Sequence, residues 1–251
     1  MKGCVYFHQG WTDIINCLPL VNYYADKYDK LILIIREDAK EIARYYTRNM
    51  DNISLLCKNK YDIDLNPMCI LQEIPPDYDL LFHGNFDSSR NDKYKNIFSK
   101  SIFYAEGFYT FYEIPFNEKI NSFNFIRDFE LEENEYLSFI KIYGKDYSLY
   151  HISSEVENFN EVDIYKPSID INGLSNNIFS CIKILENAKE LHLMDSLWAS
   201  FCYLLDAKYN LFSNKKIYLY PFKKRSGGLV ETYKQSELSP INLKNWVIKN
   251  T

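Results

Sequence analysis

Leu31-Ile32-Leu33-Ile34-Ile35, followed at once by Arg36-Glu37-Asp38, decides how this chain is read. A strand with one wet face alternates apolar and polar residues. An unbroken apolar run belongs instead to a strand covered on both faces, as in parallel sheets flanked by helices. Residues 37–48 then read as a helix. Upstream, Ile14, Ile15, Leu18, Val21 and Tyr24 recur near the helical period, which predicts a helix over residues 13–29. Pro19 falls inside it and is expected to kink it or remove a hydrogen bond. Residues 4–8 read as the first buried strand. Downstream, residues 53–57 form a third strand, 68–71 a further short one, and 78–83 a later one after Pro75-Pro76.

Residues 103–129 break this rhythm. They are rich in aromatics, lack a sustained period and carry Pro115 in their middle, so they read as the crossing between two halves. The alternation then resumes. Residues 133–143 read as a helix, 147–152 as a strand and 168–171 as a short strand. A helix over 175–188 has Ser175 as its N-cap. Residues 190–194 form a strand, Asp195-Ser196 opens a helix to about 205, and 217–220 is the last clear strand. Alternating strands and helices predict parallel sheets with right-handed crossovers. The expected fold class is α/β: two Rossmann-like domains facing each other across a cleft, with residues 1–115 in the first and 116–251 in the second.

The bulk properties fit that picture and exclude several others. A chain of 251 residues has room for two compact domains. No apolar run is long enough to span a bilayer. The start, Met1-Lys2-Gly3-Cys4-Val5-Tyr6-Phe7-His8, turns polar too soon for a signal peptide, so a cytoplasmic protein is expected. A net charge of −5 argues against non-specific nucleic-acid binding, which needs a basic face. One local pocket can still be positive and hold an anionic ligand. Cys4, Cys17, Cys57, Cys69, Cys181 and Cys202 form no CxxC pair, so they lack zinc spacing and read as free thiols. There is no P-loop, GxGxxG, GxSxG or HExxH.

In open α/β sheets ligands bind beyond the carboxyl ends of the strands, so the strand-to-helix turns are where chemistry is sought. The first turn is His8-Gln9-Gly10-Trp11-Thr12-Asp13. Gly10 lets the backbone turn sharply or approach a ligand. Asp13 stands where a helix begins: it either caps the helix or serves as a general base. His8, His83 and His151 fall at expected carboxyl ends of strands, and His192 lies within one. They are too scattered for a metal set. Tyr104-Ala105-Glu106-Gly107-Phe108-Tyr109 either packs or lines an acceptor side.

The stretch Asp13-Ile14-Ile15-Asn16-Cys17-Leu18-Pro19 resembles the first turn of heptosyltransferase-like glycosyltransferases of the GT-B fold, which reads Gly-Asp-x-x-x-x-Leu-Pro. Here Gly10 stands three positions before the Asp rather than beside it. The resemblance implies that Asp13 deprotonates the acceptor hydroxyl. Glu190-Leu-His-Leu-Met-Asp195-Ser196-Leu-Trp-Ala-Ser200 resembles the GT-B strand that ends in Asp-Ser or Asp-Thr and leads into a helix facing the donor phosphates. A helix N-terminus plus a hydroxyl makes an anion site. Leu197 and Ser200 replace the Gly and His usual in heptosyltransferases, so the pattern is nearer to fucosyl- and other sugar transferases.

The resemblance further implies donor contacts at the His151-Ile152-Ser153-Ser154 turn, through His151, Ser153 and Ser154, which otherwise reads as a polar loop. Lys224 and Arg225, in a cationic stretch beside Gly227-Gly228, either clamp a pyrophosphate or form a solvated charge run. It places the acceptor near His8, Gly10, Trp11 and His83. The expected activity is transfer of a sugar from a nucleotide-sugar donor to a glycan hydroxyl, inverting, with no cofactor and no metal. The alternatives are a sugar-nucleotide or glycan binding protein without turnover, a sugar-nucleotide epimerase, and a metal-dependent GT-A enzyme. The last would use Asp62-Ile63-Asp64 or Asp77-Tyr78-Asp79.

Overall fold

The computed structural model describes residues 1–7, 10–60, 62, 70, 72–83, 104–152, 164–175, 177–194, 196–220 and 245–249. The chain divides into two units, Met1–Ile126 and Arg127–Thr251. The division falls after residue 126, not at the expected 115/116.

The first unit holds β1 (Lys2–Phe7), α1 (Trp11–Ala25), β2 (Lys30–Arg36), α2 (Lys40–Thr47), β3 (Ile53–Lys58), β4 (Asp79–His83), α3 (Tyr104–Thr110) and α4 (Glu118–Asn121). A 3-10 turn, Glu37–Ala39, leads into α2, so the helix expected from residue 37 starts later. The sheet order is β3-β2-β1-β4, with every pair parallel. The apolar run of β2 is buried at Leu31, Leu33, Ile34 and Ile35, as its lack of alternation requires. Gly3 makes room for Tyr28: a Cβ there would lie 2.9 Å from the Tyr28 ring.

α1 buries Ile14, Ile15, Leu18 and Val21, and runs through Pro19 without ending. Each such apolar side chain stabilises the fold by about 1.5–3 kcal/mol. The strand expected at 68–71 is not found: Ile70, the residue of that stretch which is described, is helical and packs on Cys4, Tyr6 and Ile34.

Residues 104–126 belong to this unit because their aromatics complete its core. Phe123 stacks on Tyr46 at 5.9 Å, Phe125 lies 6.3 Å from Tyr45, and the buried Tyr109 hydroxyl donates to the Asn16 carbonyl at 2.8 Å. A helical period was hidden there by shortness, since α3 and α4 have seven and four residues.

The second unit holds α5 (Phe129–Tyr143), β5 (Ser148–His151), β6 (Ser168–Asp170), α6 (Ile182–Asn187), β7 (Glu190–Met194), α7 (Leu197–Tyr209), β8 (Lys216–Tyr220) and β9 (Trp246–Ile248). The order is β6-β5-β7-β8-β9, again all parallel. Asp128 caps α5 by accepting from the Leu131 amide at 3.0 Å, and Glu130 and Glu132 suit its positive end. Arg127 spans Glu132, whose side chain has no exposed surface, and Glu186. Ser175 is not the N-cap of the next helix. Asn177 caps a 3-10 turn, Ile178–Cys181, by accepting from the Phe179 amide at 3.1 Å, and α6 follows. α7 ends on Asn210, which takes the left-handed conformation (φ 53°) suited to an Asn C-cap. Trp246 donates to Asp206 at 2.9 Å and fixes β9, a strand the sequence reading lacked.

Among the described residues no helix is long and apolar enough to cross a membrane.

Candidate functional site

Sheet order fixes where a ligand can settle. In the first unit the chain leaves β1 toward β2 and β3 on one side, and β4 lies on the other, so the switch point is between β1 and β4. In the second unit it is between β5 and β7. The sequence-predicted residues that are described gather at the carboxyl ends of these strands.

In the first unit the β1 turn delivers Gly10, Trp11 and Asp13. Gly10 is the extended N-cap of α1, and its carbonyl accepts from the Asp13 and Ile14 amides at 3.0 Å each. Asp13 is therefore not the N-cap: it lies in the first turn, half-buried. A carboxylate there is favoured by the positive end of the helix. One turn further on, burial pushes the Cys17 thiol up; the charge of Asp13 adds to that shift and the charge of Lys119 opposes it. Lys119, on α4, is buried at 2% exposure. Neighbouring Asn16 has a buried side-chain oxygen with no hydrogen-bond partner.

His83 is the last residue of β4, in register with Phe7 at the end of β1. His8 lies outside the described residues. Trp11 is tied down by residues the sequence reading passed over. Its indole N–H donates to Asp38 at 3.2 Å, and Arg36 donates to the same carboxylate through Nε at 2.9 Å. Burial pushes the Asp38 carboxyl up, but the bonds from Arg36 and Trp11 outweigh it and hold the group low. The available signal was position: Arg36 and Asp38 follow the carboxyl end of the buried β2 run. In the 104–109 motif, Phe108 and Tyr109 are core residues, and burial pushes the Glu106 carboxyl up.

In the second unit His151 is the last residue of β5, and Ser196 precedes α7 at the end of β7. The Ser196 hydroxyl and His151 Nδ1 lie 2.9 Å apart. Ser196 occupies the N-cap position with extended backbone, yet its side chain makes no cap bond to the helix. The hydroxyl is turned to the imidazole instead, leaving the first amides of α7 without a side-chain cap from Ser196. His151 is 9% exposed, and burial lowers its pKa below 6.5, with Asp170 opposing. The site thus presents a neutral imidazole, a hydroxyl and a helix N-terminus at one switch point. Ser153, Ser154, Asp195, Lys224 and Arg225 lie outside the described residues.

His192 does not join this group. It is 1% exposed, lies 2.9 Å from the Tyr220 hydroxyl and 3.2 Å from Glu190, and stacks on Tyr218 at 4.5 Å. It is a packed, hydrogen-bonded core residue. Of the Asp-x-Asp pairs, Asp77 is held in an ion pair with Lys2, and the charge of Asp79 adds to burial in pushing the Tyr28 phenol up. Asp62 is bonded to Asn59, and Asp64 lies outside the described residues. Among the described residues no set of three or more His, Cys, Asp or Glu side chains is arranged to hold a metal ion. Cys4, Cys17, Cys57, Cys181 and Cys202 are free thiols, all pushed up by burial.

No protein-family model matches this chain, and no curated protein matches it. Among solved structures, it is similar to a glycosyl transferase family 9 protein from Veillonella parvula DSM 2008, with a TM-score of 0.58 and 10% sequence identity. The match covers 89% of this chain and 82% of that one. The likeness is one of fold: α/β, with two parallel sheets.

Proposed function

We propose that this protein is a GT-B-type glycosyltransferase, which moves a sugar from a nucleotide-sugar donor to a hydroxyl of a glycan acceptor. The observation that carries the reading is the His151–Ser196 pair at the switch point of the second sheet, beside the start of α7. Its counterpart is the Asp13 turn at the switch point of the first sheet. The fold shared with a glycosyl transferase family 9 protein supports it.

In this reading the second unit holds the donor. Ser196, the amides opening α7 and His151 face its diphosphate, with Asp195, Ser153, Ser154, Lys224 and Arg225 completing the contacts. The first unit receives the acceptor near His8, Gly10, Trp11 and His83. The acceptor oxygen attacks the anomeric carbon as the bond from that carbon to the diphosphate oxygen breaks. The hydroxyl proton passes to the Asp13 carboxylate, and the diphosphate leaves with the bonding electron pair. A carboxylate is a weak base toward a free alcohol, but the hydroxyl turns acidic as the new bond forms. Fixed donors then stabilise the leaving charge without reorganising. Direct displacement inverts the anomeric centre, and no metal is required.

The test is Asp13→Asn, which removes the base and keeps the shape. Transfer should fall by about 10²–10⁴-fold with donor affinity nearly intact. A matching loss of donor affinity would remove Asp13 from the role of base. Turnover should survive EDTA; strict dependence on manganese would favour the GT-A alternative. A nucleotide-sugar bound but never transferred or hydrolysed would favour a binding protein. Conversion of the ligand with no acceptor present would favour an epimerase. A thermal-shift screen against UDP-, GDP-, ADP- and CMP-sugars identifies the donor through its raised melting temperature.

A further inference from the structure

Trp11 opens α1 two residues before Asp13, and its setting differs from that of Trp198 and Trp246. Those two are core residues at 4% and 8% exposure, whereas Trp11 is half-buried at the carboxyl end of the first sheet. Its indole is held by the polar edge. Nε1 donates to Asp38, which stands in the turn after β2, so the side chain reaches from the turn after β1 across to the end of β2. The N-cap of the helix offers no such hold: Gly10 has no side chain, and a Cβ built there would meet nothing within 4 Å.

The group that accepts from the indole is itself fixed. Arg36 donates to both Asp38 oxygens, through Nε at 2.9 Å and through Nη2. Nη2 and the indole N–H share Oδ2. A forked guanidinium–carboxylate pair sets the plane of the carboxylate as well as its place. The Arg36 side chain is 11% exposed and that of Asp38 is 45% exposed, so the fork is anchored in the end of β2 and its carboxylate is aimed from there. A ring tied at its polar edge keeps one rotamer. Released, it has to be ordered by whatever binds against it, which costs affinity and leaves the chemical step alone.

We propose that Asp38, clamped by Arg36, is a positioning residue for the acceptor: it holds the Trp11 indole across the ends of β1 and β2, where the ring walls the β2 side of the acceptor site beside Asp13. The proposal rests on the transfer reading, which puts the acceptor near Gly10 and Trp11. Asp38 acts through the indole and touches neither substrate nor reacting atoms.

Two measurements on the full chain test it. The first is acrylamide quenching of tryptophan fluorescence, in which Trp11→Phe identifies the Trp11 signal against the two core tryptophans. Asp38→Ala should raise quenching of that signal at least about twofold, and Asp38→Asn, which keeps an oxygen for the indole N–H, should restore much of the protection. The second is transfer from UDP-glucose, UDP-galactose, UDP-N-acetylglucosamine, GDP-mannose and ADP-glucose to the p-nitrophenyl glycosides of glucose, galactose, mannose and N-acetylglucosamine. For a pair that reacts, Asp38→Ala should raise KM for the glycoside about two- to tenfold, with kcat and donor affinity little changed. In the Trp11→Phe background the same substitution should add nothing further, because its effect runs through the indole. Should Asp38→Ala fail to fold, Asp38→Asn crossed with Trp11→Phe gives the same cycle. Unaltered quenching on changing Asp38 overturns the proposal, as does an unchanged glycoside KM or a loss that adds in full to that of Trp11→Phe. Those results leave transfer by the unaltered chain standing. Transfer to none of the glycosides would instead remove the transfer reading, and this proposal with it.

Discussion

Ser196→Ala separates a donor contact from a structural tie, because the geometry assigns different sizes to the two. Ser196 stands at the N-cap of α7 but gives the helix no side-chain bond, so the usual loss of about 0.5–2 kcal/mol for removing a cap does not apply. What is lost in the free protein is one hydrogen bond to a buried imidazole nitrogen, 2.9 Å away. Leaving that nitrogen unpaired costs about 1–3 kcal/mol, a shift of several degrees in a melting scan. If the same hydroxyl also donates to a diphosphate, a charge-assisted bond worth about 1.5–3 kcal/mol disappears from the complex. That weakens a nucleoside diphosphate about ten- to a hundredfold.

His151 supplies a second readout on the same site. Burial holds its pKa below 6.5, so the folded chain keeps the imidazole neutral; the stability this lends is present above 6.5 and lost as the pH falls through the folded value. An anion beside the ring has the reverse effect and raises its pKa. Binding of UDP or GDP should therefore take up protons in the range where the free imidazole is losing its proton, and tighten as the pH falls. Calorimetry in two buffers of different ionisation heat measures that uptake directly. Unchanged affinity in Ser196→Ala, together with no proton uptake by the unaltered protein, would reduce the pair to a strand-to-helix tie.

Two further substitutions test the units themselves. Arg127→Met leaves the Glu132 side chain, which has no exposed surface, without its partner, and should cost about 3–5 kcal/mol. Burial already pushes the Glu132 carboxyl up, with Arg127 opposing, so the variant should be most stable below the ordinary carboxylate value of 4.5 and lose stability as the pH rises through the folded value. Urea unfolding at acid and neutral pH checks the sign. Gly3→Ala puts a Cβ 2.9 Å from the Tyr28 ring and should cost about 1–3 kcal/mol in the same assay; an unchanged midpoint would mean the ring yields freely.

What the sequence disclosed depended on length and locality. The unbroken run of β2 and the spaced apolar residues of α1 carry their own structure, and both were legible. β9 has three residues and exists because Trp246 reaches Asp206, so no local pattern announces it. The aromatic stretch after residue 103 looked like a linker because its helices are short; only the packing of Phe123 and Phe125 on Tyr45 and Tyr46 shows that it completes the first core. Asp13 was readable as a residue near a helix start. Its exact place inside the first turn was not, because Gly10 takes the N-cap with a bare backbone.

The Arg36–Asp38–Trp11 group shows the same limit: each residue sits at a predicted strand or helix end, but only sheet order makes those ends neighbours. The His151–Ser196 pair is the sharpest case. The two residues are 45 positions apart and touch because β5 and β7 are adjacent parallel strands, with His151 in register with Leu193. Neighbouring strands lie about 4.8 Å apart. Were β6 placed between β5 and β7, the same two ends would be separated by about twice that distance, beyond the reach of a hydrogen bond, with every helix and strand unchanged. Local pattern places chemistry at the ends of strands, and the topology of the sheet then decides which of those ends form one site.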